Sequence, residues 1–439
     1  MLPRGFYHYL RAKRTYRLGK NDLLDLQAKR LRAAVRYSYN TVPYYHRLMK
    51  GGKLGPDAIR SPNDLGRMPD LDKPKILAAG AALRSLQTRP ALSRKTSGTT
   101  GQRVEFFMDA NFIDIGWGLG FRRNWMAGIP FLARGAQMVL ADTDRWTYFG
   151  NRSNYPFKTI VGTVDSEMML LRTVLVTRGV RSFRLAAREL SRTKLDVLKG
   201  KASVLVAVGR AMEEEGLEFS VDRVAAGAEA LFPAAKKEIE SRYNAMVTAN
   251  YGSAEVGAIG GECSAQTGIH VFTDYHLMEV LKGEEPASPG EEGEVVITTM
   301  LNRAMPLIRY RTGDYATLAD EEKCECGSYL PRLKFVSGRK QDFLVRKGGT
   351  TLSPHFVVEF FDGLLGPINY QLAQQGDDRF ILRSQVKVDG PALLAMHRFL
   401  EGAVGGAVAI EVEEWEGLKV GAKYRPFLAQ APASRSVAA

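Results

Sequence analysis

Cysteine is scarce in this chain: Cys263, Cys324 and Cys326 are the three among 439 residues. Three thiols cannot build a disulfide framework, and such usage belongs to a reducing cytoplasm. Histidine is nearly as rare, at six, and no Ser-His-Asp arrangement is present, an absence that counts for nothing against an enzyme whose substrate is itself the nucleophile. No apolar run nears the roughly 20 residues that a membrane span requires. The opening Met1–Phe6 leads into charged helix, so secretion is not expected.

What is present is ordinary globular material with an excess of positive charge. Hydrophobic residues make up 45% and charged residues 25%, enough for a large domain with an appendage. The 61 Lys/Arg exceed the 48 Asp/Glu by 13, a field that collects nucleotides and coenzyme A as readily as nucleic acid. Residues 1–50 hold twelve Lys/Arg against Asp22 and Asp25, interleaved with Tyr7, Tyr9 and Tyr16. One reading is an arm for nucleic acid or a membrane surface. No recognised nucleic-acid motif accompanies the charge. The preferred reading is therefore a solvated helix face whose Leu23, Leu24, Leu26, Leu31 and Val35 pack on the body, with no specific nucleic acid as partner.

From Ser93 to about Leu333, short apolar strands alternate with glycine-rich turns and helices, which predicts an α/β body. Gln137–Ala141, Val204–Val208, Val224–Ala226 and Met246–Ala249 read as strands, and Ser182–Leu198 and Pro233–Tyr243 as helices. After Gly338 a smaller unit begins. A hairpin turns around Gly348–Gly349, and Pro354 starts a helix to Leu365. Strands Ile368–Gln374 and Arg379–Val386, helix Pro391–Val404 and strand Val408–Trp415 follow, a β-α-β-β-α-β order that is ferredoxin-like.

Five segments carry the chemistry. Lys95–Gln102 is a glycine- and hydroxyl-rich loop whose backbone N–H groups and hydroxyls suit phosphate or Mg²⁺, although no Gly-Lys-Ser/Thr ends it and alone it could be a surface turn. Asn250–Glu255 offers a ring to stack on a base and a carboxylate for a metal or phosphate site. Pro306–Asp314 ends in a carboxylate able to accept from two ribose hydroxyls. Gly338–Asp342 marks the domain boundary, and Gly421–Arg425 places a lysine on a loop near the C-terminus.

In this order the five segments resemble the adenylate-forming superfamily, and within it phenylacetate–CoA ligases and their capsular-polysaccharide and coenzyme F synthetase relatives. The resemblance runs from Val42-Pro43-Tyr44-Tyr45 to Phe427. It implies a large N-terminal adenylate-forming α/β domain, residues 1–337, and a small mobile ferredoxin-like domain, residues 338–439. It implies that Thr96, Ser97, Gly98, Thr99, Thr100 and Gly101 handle the β- and γ-phosphates, with Thr99 in a catalytic place. Gly227, Ala228 and Glu229 would line the adenine pocket, with Tyr251 against the base and Gly252 and Ser253 beside it. Glu255 would place Mg²⁺, Asp314 would bind the ribose, and Arg339 would reach the ribose or phosphates. Lys423 would bridge the acid and the α-phosphate. Three departures stand out: Gln102-Arg103-Val104 replaces the usual Pro-Lys-Gly continuation, Gln341 occupies the hinge position, and Ala422 rather than glycine precedes Lys423 while the Lys-x-Arg core survives.

The expected reaction is ATP-dependent activation of a carboxylic acid to acyl-AMP, followed by transfer to coenzyme A. Transfer to an amine, sugar or carrier protein is the alternative, and a non-catalytic basic scaffold the more distant one. Trp125, Trp146, Tyr148 and Phe149 suit an aryl or medium apolar acid, or equally a core. Cys263, His270, Cys324 and Cys326 make up a Cys₃His set of the kind that holds structural zinc, and the relatives carry the same arrangement. Three idle thiols are the competing reading.

Overall fold

The computed structural model describes residues 2–95, 104–131, 133–141, 171–177, 180–320, 323–418 and 423–429. The chain divides into two compact units, one of Met1–Phe131 with Thr248–Val336, the other of Leu132–Val247 with Ser337–Ala439.

In the first unit, helices Leu2–Thr15, Lys20–Thr41 and Pro43–Gly51 precede the hairpin of Leu92–Lys95 with Glu105–Met108, and helix Ala110–Met126 follows. Asp109 starts that last helix by accepting the Phe112 N–H at 2.9 Å. Strands follow in the spatial order Glu285–Pro286, His276–Lys282, Glu292–Thr299, Tyr310–Leu318, Arg332–Arg339, Ile269–Val271, Gly257–Glu262 and Met246–Ser253. Leu31, Val35, Tyr45, Tyr251, Ile297 and Tyr310 share the core beneath them. The basic N-terminal helices are packed as read, with Leu23, Leu31 and Val35 buried, but Leu24 points outward and is 47% exposed. They are also pinned by polar contacts. Asp274 and Arg122 form a fully buried ion pair at 2.6 Å, Thr15 donates to the same carboxylate, and Arg30 donates to the Asp274 carbonyl.

In the second unit, strands Arg223–Gly227, Val197–Gly200, Gly135–Ala141 and Leu171–Thr177 lie side by side in that order, all parallel. Helices Val180–Ser191, Ala202–Glu214 and Pro233–Tyr243 belong with them. Two expectations are corrected. Val204–Val208 is helix; Val204, Leu205, Val206 and Val208 are all fully buried, and an apolar run of this kind carries no period to separate helix from strand. The helix predicted over 182–198 stops at Ser191, and Val197 opens a buried strand.

Residues 337–439 pack into this same unit. Helix Pro354–Leu365 starts at proline as expected. The strand order is Ala409–Glu414, Arg379–Ser384, Tyr370–Gln375, Phe427–Ala429; the middle pair is antiparallel and each outer strand parallel to its neighbour. The hairpin expected around Gly348–Gly349 is present, with Leu344–Val345 antiparallel to Thr351–Leu352 as a sheet of its own, and Phe427–Ala429 holds the fourth place in the C-terminal sheet.

Candidate active site and metal centre

In the first unit, Tyr251 and Asp314 meet directly. The Tyr251 hydroxyl donates to Asp314 Oδ2 at 3.0 Å across 63 residues of sequence. Burial first, and the carboxylate beside it second, push the Tyr251 phenol well above its ordinary range, so it remains a donor. Asp314 follows Gly313, whose φ of 75° suits glycine, and its N–H donates to Thr312 Oγ1 at 3.1 Å. Gly252 has no room for a side chain, since a Cβ there would stand 2.6 Å from the Gly257 carbonyl oxygen. Ser253 Oγ accepts the Val256 N–H at 3.2 Å. Glu255 is buried, with the Tyr310 hydroxyl donating to it at 3.4 Å. The arginines of the same motif are structural clasps: Arg309 pairs with Glu279 at 3.2 Å and Arg311 with Glu294 at 2.8 Å.

The residues Thr96, Ser97, Gly98, Thr99, Thr100 and Gly101 lie outside the described residues. The strands on either side of them in sequence pair with Lys95 opposite Glu105. Trp146, Tyr148 and Phe149 lie outside as well. Trp125, considered for the acid pocket, instead packs edge-on to Tyr16 at 5.3 Å and accepts the Lys13 ammonium over its ring at 4.7 Å.

In the second unit, three of the expected motifs are joined. Gly227 ends its strand, and Ala228 follows at φ 65°, a left-handed conformation that costs a non-glycine residue about 1–2 kcal/mol. Glu229 then accepts Ser203 Oγ at 2.7 Å and the Tyr424 N–H at 2.8 Å. Arg425 forms an ion pair with Asp342, linking the Lys-x-Arg segment to Gly338–Asp342. Burial pushes the Asp342 carboxyl up, and the Arg425 guanidinium opposes it. Arg339 ends its strand just before this turn. Lys423 is exposed, beside the anchored Tyr424 and Arg425. None of these pairings is visible as a local pattern, because they span 195 and 83 residues.

The cysteine cluster assembles wholly within the first unit. Among the described residues, the ligand atoms of Cys263, His270, Cys324 and Cys326 all lie within 4.8 Å of one another. Cys263 Sγ is 3.8 Å from Cys324 Sγ, and Cys326 Sγ is 3.5 Å from His270 Nε2. His270 Nδ1 faces the Leu330 carbonyl at 3.4 Å, leaving Nε2 toward the thiols. A hydrogen bond from Cys263 foremost, and then those of His270 and Tyr16, pull the Cys326 thiol below its ordinary range against burial, which pushes it up. Tyr16 escaped the reading of the sequence: its hydroxyl stands 2.8 Å from Cys326 Sγ across 310 residues, and its carbonyl accepts from Ser328 Oγ at 3.1 Å.

No family model matches the chain. It is 26% identical over 345 residues to phenylacetate–coenzyme A ligase of Thermus thermophilus, covering 75% of this chain and 73% of that protein. It is 25% identical over 364 residues to the Escherichia coli phenylacetate–coenzyme A ligase, covering 77% and 79%. The fold matches 2-hydroxyisobutyryl-CoA ligase in the postadenylation state with a TM-score of 0.75, at 16% identity, over 95% of this chain and 91% of that one. The mixed α/β fold with its large sheet is thus the one that 2-hydroxyisobutyryl-CoA ligase has. In sequence, the chain is similar to these phenylacetate–coenzyme A ligases.

Proposed function

We propose that this protein joins a carboxylic acid to coenzyme A in two steps, using ATP and Mg²⁺. In the first, a carboxylate oxygen attacks the α-phosphorus of ATP, the bond to pyrophosphate breaks, and acyl-AMP forms. The acid is already ionised at neutral pH, so no general base is needed, and the work is positioning and charge stabilisation. In the second, the thiol attacks the acyl carbon and AMP leaves. The observation that carries this reading is the Tyr251–Asp314 hydrogen bond, which makes one rigid platform of the two residues assigned to the base and the ribose. Glu255 would hold Mg²⁺, which neutralises phosphate charge when bound. Thr96–Gly101 would receive the outer phosphates, Arg339 the ribose or phosphates, and Gly227–Ala228 the adenine edge. Incubation with ATP, Mg²⁺, coenzyme A and a panel of carboxylic acids should yield AMP and a thioester for at least one acid. Formation of ADP in place of AMP, or nucleotide turnover indifferent to the acid, would exclude the reading.

The cluster's spacing supports zinc. A tetrahedral ion with Zn–S near 2.3 Å and Zn–N near 2.05 Å implies S···S edges of about 3.8 Å and S···N edges of about 3.6 Å, against the observed 3.8 and 3.5 Å. All four positions are protein ligands, so the role is structural. It would staple the turn after Glu262 to the segment after Leu318, and its reduced thiols fit a cytoplasmic setting. Tyr16 would act as an outer-shell donor to Cys326, and such partners commonly govern metal affinity 10–100-fold. Tyr16→Phe should therefore weaken zinc retention by about tenfold or more in a chelator competition. Purified parent should contain close to one zinc per chain, and metal-free parent that is folded and active would remove the site.

A further inference from the structure

Glu229 stands where the adenine pocket is expected, yet its side chain is 3% exposed, and both carboxylate oxygens meet partners within the protein. Oε2 accepts Ser203 Oγ at 2.7 Å and the Ser203 N–H at 3.3 Å. Ser203 lies in the first turn of helix Ala202–Glu214, so the carboxylate caps the positive end of that helix. Lys201 Nζ approaches Oε1 at 3.7 Å. Oε1 also accepts the Tyr424 backbone N–H at 2.8 Å. The carboxylate is thereby fixed by its helix-side partners before Tyr424 reaches it.

Tyr424 is the neighbour of Lys423, and the other anchors of this segment have a different origin. The Tyr424 hydroxyl donates to the Tyr370 carbonyl at 2.7 Å, Arg425 pairs with Asp342, and Gln371 Nε2 donates to the Arg425 carbonyl at 3.2 Å. Tyr370, Asp342 and Gln371 all belong to residues 338–439 and travel with Lys423. Glu229 belongs to the strand-and-helix layer of residues 132–247. Of these four contacts, the Glu229–Tyr424 bond is the one that must break when the C-terminal residues turn.

We infer that Glu229 is a positioning residue: its carboxylate, pinned at a helix N-terminus, docks the Tyr424 N–H and so holds Lys423 in place for adenylation. The inference rests on the proposed two-step function. Glu229 acts through Lys423 and contributes no contact to the adenine. Release of the same bond frees the segment for the second half-reaction. A hydrogen bond to a charged acceptor is strong enough to bias a docked arrangement roughly 10- to 100-fold.

The test is Glu229→Gln in the full chain, which keeps the shape and removes the charge. ATP–pyrophosphate exchange should lose about tenfold or more in kcat, with the KM for ATP within about twofold of the parent. Thioester formation from supplied acyl-AMP and coenzyme A should be retained or faster. In a Lys423→Ala background the Glu229 substitution should add no further loss to exchange. Trypsin should cleave after Lys423 several-fold faster in Glu229→Gln than in the parent, an outcome independent of activity. A raised KM for ATP at unchanged kcat would make Glu229 an adenine contact and overturn the inference. Equal loss in both half-reactions with a lowered Tm would make it structural only. A parent without exchange removes the functional reading and this inference together, whereas an active parent with an unaltered Glu229→Gln removes this inference alone.

Discussion

Lys423→Ala slows formation of the acyl-adenylate by at least about a hundredfold and leaves thioester formation from ready-made acyl-AMP close to the parent rate. The first step brings two anions together, and their repulsion is greatest as the carboxylate nears the α-phosphate. A lysine reaching both offsets it, and loss of one such preorganised contact commonly costs 10²–10³ in kcat. The second step joins a thiol to a mixed anhydride whose reacting carbonyl is uncharged, where that lysine has no comparable work. On the proposed function Lys423 would reach the ligand from an exposed position, with Tyr424 and Arg425 tied down beside it. Both half-reactions are measured on the same folded variant, the first by pyrophosphate exchange and the second with synthetic acyl-AMP. Equal damage to both would end the assignment of Lys423 to adenylation.

Asp314→Ala weakens ATP binding by about 10- to 100-fold, the range expected for loss of hydrogen bonds to a charged acceptor. On the proposed function its contacts to the ribose would form before the transition state, so KM for ATP should rise more than kcat falls. The substitution also takes away the acceptor of the Tyr251 hydroxyl, which is buried and donates to Asp314 at 3.0 Å. Asp314→Asn, which retains an acceptor for that hydroxyl, should bind ATP better than Asp314→Ala and melt higher. Calorimetric titration with a non-hydrolysable ATP analogue checks the ordering, and equal nucleotide affinity in parent and both variants would unseat Asp314 from the ribose.

How far the sequence was legible depends on the range of the interaction that decides each feature. Pro233–Tyr243 and Pro354–Leu365 were readable to the residue, because a proline at the first helical position and a polar face are local signals. Val204–Val208 was misread because burial on every side erases periodicity. The fourth strand of the C-terminal sheet, Phe427–Ala429, is three residues long and pairs with Tyr370–Gln375, too short for alternation to announce it. The site behaves the same way. Tyr251, Asp314, Glu229, Asp342 and the Cys-x-Cys pair stand in recognisable strings, so their identities were accessible. Which of them touch was not, since Tyr251–Asp314 and Glu229–Tyr424 are tertiary pairings of 63 and 195 residues' separation. Tyr16 carried no signal at all, being one of several tyrosines in a basic helical stretch, 310 residues from the sulfur it meets.

The central claim is that a carboxylic acid is activated by adenylation, and acid-dependent exchange of labelled pyrophosphate into ATP tests it most directly. Exchange needs the first half-reaction only, so it does not depend on which acceptor takes the acyl group. With Mg²⁺, saturating ATP and a broad acid panel weighted toward aryl and medium apolar acids, at least one acid should drive exchange well above background, and chelation of Mg²⁺ should abolish it. Exchange that stays at background for every acid, in protein shown to be folded and to bind ATP, would contradict the account.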